Sequence, residues 1–198
     1  MNVRYTAVWA LVIGLGCGAL VPATQAQRDE EQILRIRRLE GEMVRSPQYQ
    51  ISGGQRSRRQ RQWLQIRTEF ETRPDWIDEL TFTYYVVLRN PRPERGQEEF
   101  VLFRGESRYV NIERTRDGTS VMYVHPSTVE RYGEVFRVGV VVASDGRMVA
   151  MESSPPGEGR WWEQLRPQDG YVLHRMDTPF AMVNFDDFEA SPPRERGR

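Results

Sequence analysis

Chemistry-bearing residues are sparse in this chain. Its 198 residues hold two histidines, His125 and His174, and one cysteine, Cys17. His174 and Asp177, with Asp186, Asp187 and Glu189, are the densest group of cation-ligating types. Their spacing matches no metal-ligand pattern, so neither a metal nor any other cofactor is expected. Ser127 and Thr128 follow His125-Pro126, but no glycine-framed nucleophile elbow surrounds them. Asp78/Glu79 and Glu98/Glu99 are neighbours along the chain, whereas glycoside hydrolysis needs two carboxyl groups facing each other across a cleft. No catalytic residue is therefore assigned, and the chain reads as non-enzymatic.

What remains is binding chemistry. Trp76, Asp78 and Glu79, together with His125, Thr128, Glu130, Arg131 and Tyr132, are the expected partner contacts. Every basic residue is arginine, a side chain that pairs in planar, bidentate fashion with carboxylates and phosphates. From Met43 to Thr68 there are six arginines and no acid. Arg56, Arg58, Arg59 and Arg61 are thus candidate contacts to anionic lipid or phosphate-bearing envelope polymers. Trp161 and Trp162 cannot both face inward on an extended strand, so an exposed aromatic is expected there. That aromatic and the acidic C-terminal cluster support an alternative reading, a carbohydrate-binding module or small hydrolase on envelope or host glycans. Acidic and basic residues balance at a formal net charge of zero, so no overall field favours nucleic acid.

These residues are carried on a chain with an export signal. Arg4 precedes the uncharged apolar run Ala7–Val21, and Thr24-Gln25-Ala26 places small residues before a jump in polarity. This is the plan of a secretory signal peptide over 1–26, cleaved after Ala26. The mature protein is then periplasmic or outer-membrane associated, without a transmembrane span and without a thiol, since Cys17 lies in the signal.

In residues 27–45, Ile33, Leu34, Ile36, Leu39 and Met43 recur at helical spacing, which predicts an amphipathic helix able to serve as an oligomer seam. Residues 46–61, rich in Ser, Gly, Gln and Arg, read as a flexible basic linker. From 62 to 190 the pattern is that of short strands: 63–70 with Leu64, Ile66, Thr68 and Phe70 on one face, then 80–88, 100–103, 108–112, 120–125, 134–143, 147–151 and 171–175. Asn90-Pro91-Arg92-Pro93, Arg104-Gly105, Asp117-Gly118, Asp145-Gly146 and Pro155-Pro156-Gly157 read as turns, the Asp-Gly pairs as hairpin turns of positive φ. Residues 126–132 and 161–165 suggest single helical turns, the first capped by Ser127 or Thr128. Residues 179–188 fit either a short helix or an edge strand, and 191–198 a frayed tail. The whole predicts a mainly β protein, a β-sandwich or alternatively an OB-like barrel.

Three segments carry a resemblance: FETRPDWIDEL (70–80), MYVHPSTVERYG (122–133) and DTPFAMVNF (177–185). They resemble a small exported protein family of Verrucomicrobia encoded beside type IV pilus assembly genes. The resemblance implies a β-rich, non-enzymatic envelope protein whose partners are envelope or pilus assembly proteins. The chain lacks the Gly-Phe processing site and long unbroken apolar helix of a polymerising pilin, which points to an accessory or assembly role.

Overall fold

The computed structural model of the chain describes residues 32–48, 60–157 and 159–183; the signal segment, most of the arginine-rich stretch and the C-terminal tail lie outside them. Two sheets face each other. β1 (Leu34–Arg45), β2 (Gln62–Thr72), β5 (Gly118–Val124) and β9 (Val172–His174) form one, in that spatial order and antiparallel throughout. The other runs β7 (Arg147–Ser154), β6 (Glu134–Ser144), β3 (Trp76–Arg89), β4 (Phe100–Glu113) and β8 (Gln168–Asp169), with only the short β8 parallel to its neighbour. One α-helix, α1 (Pro126–Tyr132), links β5 to β6. The sheets remain separate layers, so the architecture is the sandwich and not the barrel.

The N-terminal helix is corrected to a strand. β1 pairs along β2 from Leu34 opposite Thr72 to Arg45 opposite Gln62. A bulge between Ile36 and Arg38 inserts Arg37 as an extra residue. Before the bulge the inward positions are Leu34 and Ile36; after it they are Leu39 and Gly41. A strand of period two with one inserted residue thus imitates the spacing of a helical face. The strand belongs to the same sandwich, which therefore begins near residue 34 and not at 62, and the expected helical oligomer seam loses its basis. The ends of the supposed linker meet, the Ser46 N–H donating to the Arg61 carbonyl at 2.9 Å; its residues 49–59 lie outside the described ones.

The remaining turns divide by physical cause. Asp145 (φ +49°) and Gly146 (φ +73°) make the hairpin turn between β6 and β7. Asp117-Gly118 does not; it lies where the chain passes from β4 to β5 in the opposite sheet, and a Cβ on Gly118 would sit 2.6 Å from the Phe70 ring. Arg104-Gly105 is no turn either but the middle of an unbroken β4, where Gly105 makes room for Val172 of β9, 2.6 Å from a virtual Cβ.

The core between the sheets is lined by Leu64, Ile66, Phe70 and Met122 from one side and by Leu80, Phe82, Val86, Phe103 and Val140 from the other. One polar group bridges it. The Tyr84 phenol donates to Ser120 Oγ at 2.8 Å, and the Tyr109 phenol donates to the same oxygen at 3.0 Å. Burial, above all, pushes both phenols above their ordinary range.

Two outcomes follow from this bridge. Ser120→Ala leaves two buried hydroxyls without their acceptor and is expected to destabilise the fold by about 2–6 kcal/mol, since each orphaned group costs roughly 1–3 kcal/mol; chemical denaturation measures it. Because both phenols titrate higher in the folded state than the ordinary value of about 10, the folded chain holds protons that the unfolded chain releases above that pH. Stability is full below it and falls as pH rises beyond it. Denaturation midpoints measured on either side of that pH check the sign, and a midpoint that rises on the alkaline side contradicts it.

Candidate functional site

The sequence-derived contact residues fall at opposite ends of the sandwich. Trp76 opens β3 and α1 packs where β3 ends, so about 40 Å of strand separates them at roughly 3.3 Å per residue.

The Trp76 end is a cluster of connections tied by backbone hydrogen bonds. Thr72 N–H donates to the Thr115 carbonyl at 2.8 Å, Arg73 N–H to Ile33 at 3.0 Å and Arg114 N–H to Asp75 at 2.9 Å. Thr115 N–H returns to Thr72 Oγ1 at 2.9 Å, and Arg37 reaches across to Asp117 at 2.9 Å. On this rigid platform Trp76 is 63% exposed. Asp78 is exposed nearby, while Glu79 is paired with Arg108.

At the other end, half of the expected contact segment turns inward. His125 is the cap of α1, its Nδ1 accepting the Ser127 N–H at 3.2 Å; the helical turn expected over 126–132 is present, but neither Ser127 nor Thr128 caps it. The imidazole also meets Trp63 edge-on, with ring centroids 4.8 Å apart. Thr128 is only 7% exposed, packed on the helix's inner side, and is not available to a partner. Glu130 and Arg131 are exposed; Glu130 lies 3.5 Å from Arg61, the one member of the basic group among the described residues. Arg56, Arg58 and Arg59 lie outside them. Tyr132 is half-buried against Phe103 and Tyr171, and this burial, with the Tyr171 hydroxyl, raises its phenol.

Beside α1 is a cleft of about 190 Å³ lined by Asn90, Gln97, Glu98, Val101, Arg131, Tyr132 and Gln168. The Arg131 guanidinium lies over the Tyr132 ring, 4.9 Å from its centroid. Asn90 Nδ2 donates to Gln97 Oε1 at 3.2 Å, bracing the β3–β4 loop. Gln168 is held in place by its neighbour Asp169, which takes both Arg104 donors at 2.8 and 3.0 Å. Of these seven residues Arg131 and Tyr132 were expected contacts and Glu98 stood out only as one of two adjacent carboxylates; the others come from segments distant along the chain and bear no local signal.

The exposed-aromatic expectation at Trp161 and Trp162 is overturned. Both are buried, at 8% and 5% exposure, because they sit on a 3₁₀ turn and not on a strand. The turn aims both rings at the outer face of the β3–β4–β6 sheet, where Gly139 leaves room for them, each within 3.0 Å of a virtual Cβ. Trp162 stacks on Tyr85 at 4.9 Å, and Trp161 Nε1 donates to Ser153 Oγ at 2.9 Å. On the opposite face, residues 178–183 are neither helix nor strand but a run of turns, and Phe180 stacks on Tyr123 at 4.4 Å. His174 caps the preceding 3₁₀ turn through Nδ1. Among the described residues no three His, Cys, Asp or Glu side chains converge as a metal site; Asp186, Asp187 and Glu189 lie outside them.

The architecture is that of a two-sheet β-sandwich with its loops gathered at two ends. A family model matches residues 24–194, and the chain belongs to the family that this model defines. A crystal structure of a protein from Akkermansia muciniphila shares the fold with a TM-score of 0.69 at 23% identity, covering 82% of this chain and 94% of that one. Comparison with curated proteins gives no significant match. No helix among the described residues is long and apolar enough to cross a membrane.

The junction between α1 and the sheet can be tested directly. Gly133 ends the helix at φ +95°, and a Cβ there would lie 2.0 Å from the Arg89 carbonyl oxygen. Gly133→Ala combines backbone strain of about 1–3 kcal/mol with a backbone clash. It is expected to lower the melting temperature well beyond the effect of Gly146→Ala, whose virtual Cβ meets nothing within 4 Å.

Proposed function

We propose that this protein is exported to the periplasm or outer membrane and acts there, without enzymatic activity, as an accessory or assembly component of a type IV pilus-like system. The apolar run Ala7–Val21 and the Thr24-Gln25-Ala26 site support export and cleavage after Ala26. The likeness of residues 70–80, 122–133 and 177–185 to exported proteins encoded beside pilus assembly genes supports the system. The mode of action is protein–protein contact.

The observation that carries this reading is Trp76. A large aromatic side chain left 63% exposed on connections cross-tied by hydrogen bonds contributes nothing to the core. It supplies what a protein interface uses best, a rigid aromatic anchor that needs little ordering on binding. Asp78 and the Arg114–Asp75 pair at 3.6 Å surround it with charge, as at an interface rim.

The test is co-purification. The tagged protein, expressed in its own host, is recovered from detergent-solubilised envelopes, and its companions are identified by mass spectrometry. Pilus assembly proteins are expected with the native chain and lost with Trp76→Ala, while the melting temperature moves little because an exposed side chain contributes within about 0.5 kcal/mol. Recovery of the same companions with Trp76→Ala rejects this surface, and recovery of the protein alone rejects the assembly role.

A further inference from the structure

We infer that the cleft beside α1 is a saccharide-binding site for one neutral, hydroxyl-rich sugar ring. Its chemistry is mixed in a specific way. Arg131 offers only donors, Glu98 only acceptors and the Gln168 amide both, while the amides of Asn90 and Gln97 are held on each other and on the Arg92 and Glu94 N–H groups. A ligand meeting all of these within one small space must itself carry many groups that donate and accept, as sugar hydroxyls do.

The balance of charge narrows the class further. Arg131 and Glu98 line the same cleft, so an anion would face the carboxylate and a cation the guanidinium. A neutral polyol faces neither penalty. Among the described residues, Arg131, Glu98 and Gln168 make no ion pair or side-chain hydrogen bond, so their polar groups are available to a ligand. Val101, buried to 7% exposure, supplies an apolar wall for the C–H face of a ring.

Size and rigidity agree with this class. A space of about 190 Å³ is below the roughly 300–1,000 Å³ typical of drug-sized ligands and suits a single ring. The lining is braced before any ligand arrives. Stacking over Tyr132 fixes the plane of the Arg131 guanidinium. The Arg104–Asp169 fork holds the strand carrying Gln168, and Asn90 holds Gln97. Preorganisation of this kind lowers the ordering cost of binding. The site is independent of the Trp76 surface, at the far end of β3, so either can fail without the other.

Saturation-transfer difference NMR on the purified protein tests the inference. The neutral probes are glucose, galactose, mannose and N-acetylglucosamine at millimolar concentration; N-acetylneuraminic acid and inorganic phosphate are the charged probes. N-acetylglucosamine against galactose and mannose separates a cell-wall glycan source from other glycans. The expected result is transfer to at least one neutral sugar, with Kd raised about tenfold, the loss of roughly one charge-assisted hydrogen bond, in Arg131→Ala. Gln168→Ala weakens binding likewise, and Trp76→Ala leaves it unchanged. Absence of transfer to every neutral sugar overturns the inference. So does binding that survives both cleft substitutions, or binding confined to the charged probes.

Discussion

Buried Ser120 Oγ receives two phenol hydrogen bonds, one from β3 and one from β4, while Ser120 itself belongs to β5 in the facing sheet. Apolar contacts hold two sheets together but tolerate sliding, because one methyl group substitutes readily for another. Three hydroxyls meeting at one point do not. If β5 slipped by one residue along β2, Ser120 would point outward and both phenols would be stranded in the core. The register of the two sheets relative to each other therefore depends on this junction, and with it the position of everything carried at the strand ends.

Around that core, both outer faces carry a smaller apolar cluster of their own. One is covered by Trp161 and Trp162 on their 3₁₀ turn, the other by Phe180 after β9. Each cover closes over a tight spot. Gly139 admits the indoles, and buried Arg175 donates to the Ala181 carbonyl at 2.6 Å, tying down the run that carries Phe180. Tyr85 and Tyr123 are thereby covered, while Phe136 stays exposed beside Phe100.

The ends differ in kind. The Trp76 end presents one large exposed aromatic group on connections cross-tied by hydrogen bonds. The α1 end is concave, with polar groups of opposite character around a small space. A sandwich some 40 Å long by strand geometry keeps the two surfaces apart, so that neither obstructs the other.

Composition and local pattern determine much of this protein without its tertiary structure: its mainly β class, the alternation of Leu64, Ile66, Thr68 and Phe70, the positive-φ turn at Asp145-Gly146 and the helical turn at 126–132. These are decided by neighbours one to four residues apart, and such neighbours are visible in the chain. Where one residue breaks the period, the pattern misleads; the bulge at Arg37 made a strand look like a helix. Gly105 and Gly118 looked like turn residues, because a glycine needed for close packing and a glycine needed for backbone freedom are the same letter. The burial of Trp161, Trp162 and Thr128, the role of His125 as a cap, and the cleft that joins Asn90, Arg131 and Gln168 were decided only by the tertiary structure. Each depends on which distant segment arrives opposite, and that is set by the packing of the two sheets.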